Sequence, residues 1–280
     1  FRAHALRHGA FGTPDQGGAM NVSEEVILSS FSVMERAFRL MEAALPPPKA
    51  VPIDQGFVWR FTEKHVEQAL IQKLARYISG LHALHLLMSN GFFQEQAAIQ
   101  RILDEIQEDI TFLSLALTND TISELHLRYL SAFWAEEFDA DNPLDSTQKR
   151  DYPTRKKIAA YNVRVSEMPN LSSLSKLHRT LSKTYSGYVH AASPQVMEMF
   201  GGDPPRFHLR GMLDTPRVLE HSRDAWNYFY RGLHATTTVA KAFGARQLVE
   251  RLYDFIAEFE SASGTAYRDG RMHDMTNLSE

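Results

Sequence analysis

The 280-residue chain contains no cysteine, which removes disulfides, thiolate zinc sites and thiol nucleophiles together. It also lacks any run of about 18 uncharged apolar residues, and its opening stretch is rich in Gly, His and Arg where a secretory leader would be apolar. No strand-like alternation, internal repeat or sustained heptad seam stands out. No Glu-x-x-His pair occurs, so the ligand set of a ferritin-like di-iron bundle is missing. These absences lead to the expectation of a soluble, cytoplasmic protein with no membrane partner and no cofactor.

Core material is ample. Hydrophobic residues make up 44% of the chain and aromatic residues 11%, which is too much for a mainly disordered polymer. Apolar side chains recur at three- and four-residue spacing over about 22–45, 57–88, 94–117, 121–138, 171–190, 216–243 and 245–260, and a shorter basic helix is expected between Pro153 and Pro169. Thr121 and Glu124 have the spacing of a capping box for the fourth of these helices. The predicted fold is therefore all-α, a bundle of about eight helices forming one domain over 21–260. Residues 1–20 are expected to be disordered or tag-like, 139–150 a polar linker, and 261–280 a polar tail.

The net charge of −4 hides a division along the chain. Residues 91–148 hold twelve acids against two bases, whereas residues 149–183 hold nine bases against two acids. Lys176, Arg179 and Lys183 form a stripe at helical spacing, and Arg155, Lys156 and Lys157 crowd the start of the preceding helix, so both are candidate phosphate-binding groups. Either these cations meet an anionic ligand such as RNA, or they pair with the acidic helices or with a second copy of the chain.

Three further features carry chemistry. His82 and His85 share a helix face, but packing histidines are the expectation where supporting ligands are missing. Arg101 precedes Glu105 by one turn and can pair with it along the helix. Tyr185-Ser-Gly-Tyr-Val-His190 ends a helix beside a Gly- and Pro-rich loop, where His190 is positioned to act as a general base oriented by Tyr185, or simply to cap carbonyls. The catalytic candidates are accordingly His190, Tyr185, Arg101 and Glu105.

Two of these segments, Gly91-Phe-Phe-Gln-Glu-Gln-Ala-Ala-Ile-Gln-Arg-Ile-Leu-Asp-Glu105 and Tyr185–His190, resemble the paired signatures of an uncharacterised bacterial all-helical family of unknown function. In that family an Arg-x-x-x-Glu helix is followed by a Tyr-x-x-x-Val-His motif. The family is in turn similar in outline to HEPN-like helical domains. That resemblance implies an RNA-binding protein or ribonuclease, of a bacterial toxin or phage-defence setting, acting as a dimer. HEPN ribonucleases place four to six residues between an Arg and the His. Here Lys183 stands in the corresponding position before His190, while Arg2 and His8 show the spacing near the N-terminus. Two alternatives remain open: an interaction module docking on an acidic protein, and a small-molecule enzyme whose pocket gathers Arg101, Glu105 and His190.

Overall fold

The computed structural model describes residues 24–53, 55–140, 142–165, 180 and 184–263. Helix α1 (Glu24–Ala43) opens with Glu24 and Glu25, whose charges suit a helix N-terminus, and gives way to Pro46-Pro47-Pro48 soon after its end. Its Ile27, Phe31, Met34 and Met41 repeat at helical spacing and are buried. Helices α2 (Val66–Ser89) and α3 (Phe93–Thr118) form the most extensive pair, burying Leu70, Leu74, Tyr77 and Leu81 against Leu103, Ile106, Ile110 and Leu113.

Helix α4 (Glu124–Trp134) and helix α5 (Arg155–Val165) follow, with a short 3₁₀ turn (Pro143–Asp145) between them. Residues 184–189 form α6, and one turn of helix, α7 (Ser193–Val196), comes after it. The long helices α8 (Arg217–Ala242) and α9 (Arg246–Ser263) complete the bundle. Helix α8 packs on α1, α2, α3 and α9 and is its central member. Burying Trp226, Phe229 and Leu233 there contributes roughly 1.5–3 kcal/mol each. Gly232 permits the close crossing, because a Cβ at that position would lie 2.5 Å from Leu81 Cδ1 and 3.0 Å from Met34 Sδ.

The all-α bundle predicted from the sequence is thus observed, with several helix ends within two residues of the expected ones. Three local expectations differ. The proline-rich connection and the first residues assigned to the second helix instead form an antiparallel hairpin, β1 (Lys49–Ile53) with β2 (Gly56–Arg60), and α2 begins only at Val66. The second small ladder, β3 (Phe200–Gly201) with β4 (Arg206–Phe207), lies within the expected long loop. The capping box of α4 also shifts: Ser123, not Thr121, is the N-cap, and His126 rather than Glu124 supplies the return bond.

His126 Nδ1 accepts the Ser123 backbone N–H at 3.1 Å and lies 2.9 Å from Ser123 Oγ, while the ring stacks on Phe112 at 4.1 Å. Burial lowers its pKa from 6.5 to about 4, so the folded chain holds it neutral. The unfolded chain takes up a proton first as pH falls through 6.5, and stability is lost from there down to about pH 4. The loss is on the order of 3 kcal/mol. His126→Phe should therefore be costly at pH 7 but much closer to the parent at pH 4.5, as measured by urea unfolding at both values.

Candidate functional site

Helix α3 carries five charged residues on one strip, since Arg101, Asp104, Glu105, Glu108 and Asp109 fall within about 140° of its circumference at 100° per residue. The strip's two edges are turned inward. Asp109, only 1% exposed, receives Lys73 Nζ from α2 at 2.8 Å and the Arg155 guanidinium from α5 through both Nη1 and Nη2. Burial, reinforced by the Asp109 charge, raises the Tyr129 pKa far above the usual tyrosine range. Burial is the largest influence and opposes the charge on Arg155, but hydrogen bonding to Asp109 and the charges of Asp109 and Glu105 together outweigh it and raise its pKa.

The other edge is Asp104. It accepts Arg231 Nη1 from α8 at 2.8 Å and the Tyr228 hydroxyl at 3.0 Å, while Arg231 Nε donates to Gln107 Oε1 at 2.6 Å. A carboxylate and a cation, each drawn out of water, are tolerable here because the remaining donors and acceptors are largely filled. Between these edges Arg101 pairs with Glu105 at 2.7 Å, the helical partner expected from their spacing. Arg155 approaches Glu105 and Glu108 more loosely, at 3.9 Å each. Burial, with Asp104 and Asp109 nearby, raises the pKa of Glu108 in spite of Arg155 and Arg101. Glu108 is thus the carboxyl of the strip whose ionised form the surroundings disfavour.

The sequence-derived candidates divide between this strip and the surface. Arg101, Glu105 and Arg155 come together on α3. Tyr185 is buried on α6 against Tyr188 and Tyr228, and through Tyr228 it stands behind Asp104. Gly187 completes that packing, because a Cβ there would fall 2.6 Å from the Gln195 side chain. His190 follows the end of α6, its N–H bonded to the Ser186 carbonyl, and is exposed. Its ring makes no hydrogen bond, ion pair or ring contact with Arg101, Glu105 or any other described residue. The Tyr-Ser-Gly-Tyr segment is therefore a packing element that ends in a solvent-facing histidine. Lys176, Arg179 and Lys183 lie outside the described residues.

Most described members of the basic stretch are not absorbed by the acidic helices. Arg155 alone among its described members enters the carboxylate cluster, and Arg164 stands over the Tyr161 ring. Lys149, Arg150, Lys156 and Lys157 are exposed and have no side-chain hydrogen bond or ion pair among the described residues. Asp151, the acid inside the stretch, is taken by Arg128.

Sequence reasoning overlooked several engaged groups. The Arg-x4-6-His spacing also occurs at Arg60–His65 and Arg76–His82; Arg60 is held by Glu136, and His82 by Glu35 at 2.8 Å. His82 and His85 thus face α1, and no grouping of three metal-ligating side chains occurs among the described residues. The partners of Asp109 come from 36 and 46 residues away and left no local signal.

Two substitutions separate the structural carboxylate from the one whose charge folding disfavours. Asp109→Asn leaves Lys73 and Arg155 without their shared counter-charge and is expected to cost about 3 kcal/mol or more in urea unfolding. For Glu108 the folded pKa lies above the ordinary value of 4.5. Its ionised form is therefore the one folding disfavours, and stability present below pH 4.5 is lost as pH rises. Glu108→Gln should raise the melting temperature at pH 7 and leave it unchanged at pH 4. No family model, no curated protein and no solved structure matches this chain.

Proposed function

We propose that the chain binds RNA, or another polymer of phosphates, along the exposed basic face that begins at Lys149 and continues over α5. The observation that carries this reading is the division of the basic stretch. The acidic strip of α3 is balanced by Arg101, Lys73, Arg155 and Arg231, and it leaves Lys149, Arg150, Lys156 and Lys157 exposed and without an ion pair among the described residues. Unpaired cations on a protein of net charge −4 form a local anion-attracting patch. Such a patch follows a backbone of phosphates without reading base sequence.

Lys176, Arg179 and Lys183 extend the same run in the sequence and lie outside the described residues. Lys offers phosphate a point charge rather than the planar fork of Arg, which suits binding to a polymer in many registers. His190, with its ring free, is the group available as a general base if the bound RNA is also cleaved. Binding and cleavage are separable on this reading, because the cations and the histidine are different residues.

Fluorescence-anisotropy titration of a labelled single-stranded RNA at two salt concentrations tests the proposal. The parent chain should bind, and affinity should fall as salt rises. Lys156→Ala with Lys157→Ala should weaken binding and reduce the steepness of the log–log salt dependence by about 1.4, or about 0.7 for each phosphate no longer neutralised. His190→Ala should leave affinity within about twofold and abolish any cleavage. Binding that is absent, or indifferent to salt, overturns the reading.

A further inference from the structure

Helix α1 carries six charged residues, Glu24, Glu25, Glu35, Arg36, Arg39 and Glu42. Four of them have partners. Glu24 and Glu35 meet His85 and His82 of α2 at 3.5 and 2.8 Å, and Arg39 donates to Glu42 at 2.6 Å. Glu25 and Arg36 are exposed and have no ion-pair partner among the described residues. They are opposite in sign, yet they stand about three turns apart, roughly 16 Å along the axis, too far to meet each other.

These two charges share one strip of the helix with Ser29 and Ser32, all four lying within about 60° of its circumference. The strip points away from the core, opposite buried Met34 and Met41. A groove of about 530 Å³ follows it, bordered also by Val33 and by Phe255 of α9. Leu28, at the edge of the strip, is 49% exposed. Ser32 Oγ bonds back to the Leu28 carbonyl at 3.1 Å, so that hydroxyl is satisfied within the helix and does not call for an outside partner. The midpoint of the strip falls between residues 30 and 31. Ser29 and Ser32 flank it closely on either side, and Glu25 and Arg36 stand beyond them at equal distances.

We infer that α1 pairs with α1 of a second copy of this chain, antiparallel across a two-fold axis level with residues 30 and 31, so that Glu25 of each copy meets Arg36 of the other. A two-fold contact uses the same surface on both sides, and it closes only where that surface complements itself. The strip does so, since reversing it end for end exchanges its one acid with its one base and exchanges one serine with the other. The serines at the centre let the two helix axes approach towards the short end of the usual 8–10 Å range. Leu28 then gains cover from the neighbouring helix. An RNA strand suits this face less well, because Glu25 repels phosphate and Leu28 would stay in water. The inference stands apart from the RNA-binding reading, which uses other residues.

Sedimentation equilibrium of the nuclease-treated full chain, over a wide range of concentration, tests the pairing. The parent should dimerise reversibly, and more weakly as salt rises. Glu25→Arg and Arg36→Glu each set like charges against each other at both ends of the contact, so each alone should raise the dimer dissociation constant more than about tenfold. Mixing the two variants restores an acid opposite a base at both ends, and the mixture should form a heterodimer to within about threefold of the parent affinity. Circular dichroism confirms that both variants are folded. A parent chain that stays monomeric throughout overturns the inference. A dimer that survives equally in both variants places the contact elsewhere and also overturns it. Two monomeric variants whose mixture fails to dimerise overturn the pairing of Glu25 with Arg36.

Discussion

Neutralising the carboxylates of α3 is the constraint on which the rest of the bundle depends. Asp109 is 1% exposed, and an isolated charge at that depth would be expelled or protonated. Lys73 from α2 and Arg155 from α5 supply its counter-charge, so the position of two neighbouring helices is written into one carboxylate. Asp104 does the same for α8 through Arg231 and Tyr228. The two anchors lie on either side of Glu105 and Glu108, so α3 meets α2, α5 and α8 in a fixed rotational setting. Apolar packing alone would tolerate a turn of a few degrees more easily.

That internal pairing also decides what is left outside. With four carboxylates met by Arg101, Lys73, Arg155 and Arg231, the strip draws in only one of the described members of the basic stretch. Lys156 and Lys157 follow Arg155 directly in the chain but lie on other sides of α5, since successive helical residues diverge by 100°. A single helix start thus serves two environments: its first residue closes the core network, and the next two face water.

Much of the fold was legible in the sequence because long helices announce themselves. The spacing of Phe31, Met34 and Met41, of Leu70, Leu74, Tyr77 and Leu81, and of Ile106, Ile110 and Leu113 is the spacing of buried faces, and each set is buried. The hairpin was illegible for the converse reason. Its ten strand residues are exposed or half-exposed, so no buried face imposed an apolar–polar alternation, and Pro52 argued against a strand. Arg101 with Glu105 could be read from a four-residue spacing. The partners of Asp109 and Asp104 could not, because Lys73, Arg155 and Arg231 reach them across tertiary distances that no local pattern encodes. Tyr185 illustrates a different difficulty: a tyrosine near a helix end reads equally as chemistry or as packing, and only its burial against Tyr228 distinguishes them.

The bidentate contact between Arg60 and Glu136 has a consequence for how the hairpin behaves as an object. Both partners are largely in water, 46% and 61% exposed, so their attraction weakens as ions accumulate around them. Arg60 sits next to Phe61 at the foot of the two strands, so added salt loosens the clasp where the hairpin joins the bundle and leaves Leu45 and Phe61, which pack on the core, to hold that junction.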